Sequence, residues 1–365
     1  MKNFSRRYRK PAIGLLFLLF SLALVLFLGA SYTFRPDLVQ AKITPNTEVS
    51  EPAVLSHSNP QIQAVMAIQN HHTSHLMAHP EVVGTATGVT DAGLPAILVF
   101  THKEVAPGVI PENLEGVPVE VKVTGEIMAM PSKSVGGINP AGWFPRPVPT
   151  GVSTGNIGEC SAGTISARVK DASGMVYALS NNHVYALENS ASIGSSVLQP
   201  GRYDTKCSIN TNNIIGTLAK FNYIDFSGGP NTIDAAIALS STTNLSNGTP
   251  TNGYGTPAST IVTAGLSMPV QKYGRTTSLT KGTVVGINST VKVSYSSGTA
   301  LFVNQIVVNG KSFIKAGDSG SLLVTNDNKD SPVGLLFAGN GSGTYAWANP
   351  IGPVLLYLGI SIDGK

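Results

Sequence analysis

The chain has 365 residues and a formal charge of +4, but six basic and no acidic side chains stand in residues 1–35, and removing those six leaves −2 on the remainder. That balance excludes a basic nucleic-acid surface. Only 12% of residues are charged, while glycine, serine, threonine and asparagine abound, a composition that favours an all-β body with many turns over a helical one.

Lys2, Arg6, Arg7, Arg9 and Lys10 precede an uncharged run of leucine, phenylalanine and small residues over 12–30. A basic flank followed by such a run is an export signal, and residues 1–31 read as a signal peptide or signal anchor. The run is close to the roughly 20 residues that span a bilayer, so cleavage near Ser31 and retention as a single anchor both fit, with the rest of the chain outside the cytoplasm. Residues 32–59 are polar with scattered prolines and read as a tether. Residues 60–130 change character: an amphipathic helix, strands over 82–89 and 96–101 about the Asp91-Ala92-Gly93 turn, and a third strand over 117–130 with valines at alternate positions. These make a small α+β domain, just large enough for its own core.

His71, His75 and His79 on that helix are spaced i, i+4, i+8, with His72 beside them. The apolar residues Ile62, Val65, Met66, Leu76 and Met77 mark the opposite face. Ligands on three successive turns of one straight helix do not converge on a tetrahedral ion, so a solvated histidine face is expected and no metal. The oxygen-rich stretch 326–330 reads as a hairpin turn, lacking a full calcium ligand set. Residues 131–157 are rich in proline and glycine and read as a linker.

The remainder, 158–365, carries the chemistry. His183, the sole histidine beyond His102, follows the strand-like run 175–180. Asp234 opens a continuous small and apolar run, 234–239. Gly317-Asp318-Ser319-Gly320-Ser321 precedes a hairpin pattern formed by 322–325 and 333–339 about a turn-rich segment. A serine hydroxyl needs an imidazole to accept its proton and a carboxylate to orient that imidazole. His183, Asp234 and Ser319 are the candidates, in the chain order His, Asp, Ser. Asp204 and Asp225 also fall between the histidine and the serine; Asp234 is preferred for its place at the mouth of a buried strand. The amides of Gly317 and Ser319 are the candidate oxyanion donors. Asp318 reads as a support of that loop, with Arg275 or a newly cut amino terminus as its partner.

On these residues, about 158–358 resembles a chymotrypsin-fold (trypsin-like) serine peptidase of the bacterial kind, distantly streptogrisin-like. Residues 272–277 and 281–284 are similar to the segment that opens the second barrel in such enzymes. The resemblance implies an all-β double six-stranded barrel, a triad of His183, Asp234 and Ser319, and an oxyanion hole of the Gly317 and Ser319 amides. It implies that Phe337, Ala338 and Gly339 lie on the strand that pairs with the substrate backbone. It sets Phe313 six residues before Ser319 as a substrate-binding position, where an acidic residue would favour arginine and lysine; phenylalanine disfavours them. The sequence departs from the family at Asn181 and Asn182, where many members have a small pair, at Val184 in place of a cysteine, and at Ser321 in place of a glycine.

Secreted peptidases of this kind often carry an amino-terminal α/β domain. Residues 60–130 are therefore expected to be a propeptide or regulatory domain in contact with the peptidase domain, with 143–154 as a processing region. In an oxidising compartment Cys160 and Cys207, the whole cysteine supply, would close a loop across the first barrel. The resulting expectation is an extracytoplasmic serine endopeptidase acting on protein or peptide, with no cofactor, no nucleic acid and membrane contact only through an uncleaved leader. A peptide-binding module with a misassembled triad, or autoproteolysis alone, is the alternative.

Overall fold

The computed structural model describes residues 53–129 and 139–365; the leader reading over 1–31 and most of the tether lie outside them. Helix α1 (Pro60–Met77) starts where the sequence supplies a cap: the Asn59 side chain accepts from the amides of Gln61 and Ile62, with proline at the first helical position. It is followed by β1 (Val82–Val89), β2 (Pro95–Thr101), β3 (Asn113–Leu114), β4 (Val117–Val123) and β5 (Ile127–Met128). Ile62, Val65 and Leu76 of α1 are buried, Val65 and Leu76 against Val82, Ile97 and Val99 of β1 and β2. The third strand is shorter than the valine alternation predicts. It ends at Val123, the chain turns at Gly125 with φ +74°, and β5 departs to a different place.

The first barrel comprises β6 (Ser153–Asn156), β7 (Gly163–Thr164), β8 (Arg168–Asp171), β9 (Val176–Ser180), the one-turn helix α2 (Asn182–Tyr185), β10 (Ser196–Leu198), β11 (Ile214–Phe221), β12 (Pro230–Asn231) and β13 (Ala236–Leu239). Of these, β12 pairs outside the barrel, with the second one. The ladder runs β8-β9-β13-β11-β10-β6-β7. It closes because only residues 165–167 separate β7 from β8, and these bond across to Val152 and Leu179. The linker reading of 131–157 is corrected here: β6 is a barrel strand, since Val197 and Leu198 pair with it, and Val148 and Val152 are core residues of this barrel. Cys160 and Cys207 are joined in a disulfide, across the first barrel as expected.

The second barrel holds β14 (Pro269–Gly274), β15 (Ser278–Tyr295), β16 (Gly298–Asn309), β17 (Leu322–Thr325), β18 (Pro332–Asn340) and β19 (Tyr345–Pro350), with α3 (Ile351–Leu358) and β20 (Ile360–Ile362) completing the chain. The pairings β14–β15, β15–β16, β16–β19, β19–β18, β18–β17 and β17–β14 close a ring of six antiparallel strands. The fold is thus the expected double six-stranded barrel. The amino-terminal region does not stand apart from it. β1 pairs antiparallel with the long strand β15, Gly84 opposite Val291 and Gly88 opposite Gly286, so its sheet continues that of the second barrel.

Candidate active site

His183 sits in the single turn of α2 directly after β9, so a rigid barrel strand delivers it. The two asparagines just before the histidine form a clamp. Asn181 Nδ2 donates to the carbonyl of Asp234 at 2.7 Å, and Asn182 Nδ2 donates to Asn189 Oδ1 and to the carbonyl of Asn222. The histidine turn is therefore tied to the strand that carries the carboxylate without a disulfide.

Asp234 is fully buried. Its Oδ2 lies 2.6 Å from His183 Nδ1 and accepts the Tyr295 hydroxyl at 2.9 Å, while Oδ1 accepts the His183 amide at 3.2 Å. Its own amide donates to Asn349 Oδ1, whose Nδ2 is in turn held by Gln305. The rival aspartates are elsewhere: Asp225 caps its own loop through Ser227, and Asp204 pairs with Arg275.

Ser319 stands in a tight turn that glycine makes feasible. Gly317 and Gly320 have φ of +91° and +94°, and a Cβ on Gly320 would lie 2.2 Å from the Thr164 carbonyl. Thr164 fastens the turn to the first barrel: its amide donates to the Ser319 carbonyl and its hydroxyl to the Gly317 carbonyl. The Gly317 and Ser319 amides donate to none of the described residues. Ser319 Oγ donates to the Phe337 carbonyl at 3.3 Å, and His183 Nε2 is buried with no partner among the described residues. Both side chains line one cavity of about 60 Å³, together with Ala129, Glu159, Glu188 and Ser296.

Beneath the serine, Asp318 is saturated. Its Oδ1 accepts the amides of Thr276 and Thr277, and its Oδ2 accepts the Thr277 hydroxyl and the Lys315 amide. Lys272 Nζ completes the set at 3.2 Å, both side chains being fully buried. Burial pulls the Lys272 ammonium below its ordinary range, and Asp318 opposes that pull. In the uncut chain the ion-pair partner is therefore Lys272, and the expected Arg275 pairs with Asp204 instead.

Of the expected substrate-binding residues, Gly339 pairs with Met128 of β5. Phe337 offers its carbonyl to Ser319 while its ring packs with Phe302 and Trp347, and Ala338 is buried in the same cluster. Phe313 is buried in the core of the second barrel with Val284 and Leu336 and does not line the cavity. On α1 the histidines group differently from the i, i+4, i+8 reading. His71 Nδ1 and His72 Nε2 both approach Glu115 Oε1, at 2.9 and 2.7 Å, and the bonds to His72 and then His71 hold the Glu115 carboxyl below its ordinary range. His79 lies beyond the end of the helix.

Sequence reasoning missed Tyr295, Lys272, Asn349 and β5. Lys272 was visible only as part of a family-like segment, and the others come from remote segments with no local signature.

No family model matches this chain, and no curated protein matches it. Among solved structures it is similar to Thermobifida fusca protease A, at 19% identity over 60% of this chain and 99% of that one, with a TM-score of 0.44. Nocardiopsis protease is similar at 21% identity over 59% and 98%, TM-score 0.43, and Cellulomonas bogoriensis chymotrypsin at 20% identity over 60% and 99%, TM-score 0.42. The likeness is to bacterial chymotrypsin-fold serine proteases, and at these identities it is one of fold.

Proposed function

We propose that this protein is a serine endopeptidase working outside the cytoplasm through an acyl-enzyme. The observation that carries the reading is the 2.6 Å contact of His183 Nδ1 with a fully buried Asp234, which leaves Nε2 bare at the cavity that Ser319 shares. The carboxylate fixes the tautomer in which Nδ1 carries the proton and Nε2 is the base. Ser319 Oγ turns from the Phe337 carbonyl to Nε2, gives up its proton and adds to the scissile carbonyl. The Gly317 and Ser319 amides take the oxyanion, and the imidazolium returns the proton to the leaving amine. The disulfide supports an oxidising compartment. Among the described residues no helix is long and apolar enough to cross a membrane.

The amino-terminal region reads as a regulatory or propeptide domain. Its last described segment supports this: β5 pairs antiparallel with Gly339 and Asn340, on the strand expected to bind substrate backbone. It also pairs with β15, the Ala129 amide donating to the Ser294 carbonyl at 3.1 Å. Ala129 then forms part of the cavity wall. A strand in that position excludes a substrate strand.

Treatment of the full chain with a fluorophosphonate, with Ser319→Ala alongside, tests the assignment. Phosphonylation of Ser319 that disappears in the variant is expected. No adduct, even after proteolytic cutting within 131–138, would leave the peptide-binding module as the function.

A further inference from the structure

We infer that Tyr295 is a positioning residue for the His183–Asp234 pair, its phenol orienting the Asp234 carboxylate and sharing the charge of the oxygen that faces the imidazole. The inference deepens the peptidase reading and rests on it for its kinetic arm only. Both donors, His183 Nδ1 and the Tyr295 hydroxyl, meet on the same oxygen, Oδ2. Asp234 is fully buried, so solvent does not supply a replacement, and a buried carboxylate that loses a donor keeps that charge unrelieved. Burial, with the charges of Asp234 and Glu188, raises the Tyr295 phenol well above its ordinary range, so it remains a donor throughout the working range of a peptidase.

The same side chain touches the imidazole. The Tyr295 and His183 rings meet edge to face with centroids 5.8 Å apart, and the Tyr295 ring is itself backed by Phe226 at 5.6 Å and Phe302 at 6.1 Å. One residue thus restrains both members of the pair. It reaches them from the second barrel, as the last residue of β15 at the tip of the β15–β16 hairpin. That tip is tied back to the histidine loop: the Glu188 carboxylate, five residues beyond His183, accepts the amides of Ser296 and Ser297 at 3.1 and 2.7 Å. The groups facing the pair are Tyr295 from β15, Glu188 from the loop after α2, Glu159 from the loop after β6 and Asn349 from β19. Of these only Tyr295 bonds the carboxylate.

Two donors on one oxygen divide its basicity. Without the phenol, Oδ2 serves the imidazole alone, holds an imidazolium more firmly and releases its proton less readily to a leaving amine.

The test is Tyr295→Phe in the full chain, which keeps the ring and its packing. NMR of the His183 imidazole in a Ser319→Ala background reads the pair without requiring turnover. Relative to the parent, the titration midpoint of the ring is expected to move to higher pH, with the Nδ1 proton moving downfield. Phe226→Leu, which loosens the ring without removing the hydroxyl, is the packing control and should move neither. In the Ser319-containing chain the acid limb of the kcat/KM profile should follow the NMR midpoint. Superimposable titrations for Tyr295→Phe and the parent, or an equal shift in Phe226→Leu, would overturn the inference. A shifted midpoint in a chain that turns over no peptide would uphold Tyr295 and remove the peptidase reading instead.

Discussion

At the residue scale, the site rests on the buried carboxylates of Asp234 and Asp318, whose oxygens all have partners, around a His183 Nε2 that has none among the described residues. Ser319→Ala removes the proposed nucleophile and should lower turnover on the order of a millionfold. Asp234→Asn leaves the His183 geometry in place but presents the wrong tautomer to the serine, and should lower kcat by about 10⁴; single-turnover acylation of a peptide ester checks both. Gly320→Ala tests the turn. The new Cβ meets the Thr164 carbonyl at 2.2 Å in a left-handed conformation, so denaturant unfolding should show a loss of about 3 kcal/mol. Lys272→Met strands the Asp318 carboxylate in a dry site. A loss of about 3–5 kcal/mol is expected, together with weaker labelling of Ser319, because Asp318 shapes the loop that carries the Gly317 amide. The proposed triad was legible as a set of candidates within residues 158–365, because each member sits beside a pattern that sequence displays: a strand before His183, an apolar run after Asp234, glycines about Ser319. Lys272 was not legible as the Asp318 partner, since a lysine and an arginine three residues apart offer the same charge, both are buried, and only the barrel decides that Lys272 meets Asp318 and Arg275 meets Asp204.

At the element scale, the connecting segments do more than the strand patterns announce. The pair Asn181 and Asn182 reads in sequence as a loss of family character, and in space it ties the histidine turn to Asp234 and to the loop at Asn222. The carboxy-terminal strand β20 depends on a charge contact. Burial raises the Asp363 carboxyl, but the bonds to Lys170 and Arg168 outweigh it and hold the group below its ordinary value of 3.8. A depressed carboxylate contributes stability that is present above the unfolded value and is lost as pH falls through the folded one. Amide exchange at Ile360 and Ile362 should therefore accelerate selectively below about pH 4, ahead of the barrel strands. The strand predicted over 117–130 breaks at Gly125, because the chain must leave the amino-terminal sheet to lay β5 beside Gly339. A two-residue strand has no periodicity for sequence to reveal.

For the whole molecule, the hairpin β15–β16 links three regions that are far apart in the chain. Its middle pairs with the amino-terminal sheet from Gly88–Gly286 to Gly84–Val291, its upper part flanks β5 at Ser294, and its tip carries Tyr295 to Asp234. If β5 blocks the substrate strand, weakening it should open the site. Met128→Pro, which a paired strand does not tolerate, should raise the rate of Ser319 phosphonylation about tenfold, the worth of one or two backbone hydrogen bonds. An unchanged rate would dissociate the amino-terminal region from regulation. Composition, the order of His183, Asp234 and Ser319, and alternating apolar runs were enough to determine the class of fold and to nominate the proposed reacting groups, because each is encoded in local pattern and spacing. The Lys272–Asp318 pair, the Tyr295 donor and the strand in the cleft were decided only by tertiary structure. Each joins segments from different elements, and such contacts are selected by barrel closure and burial rather than by any preference of the residues themselves.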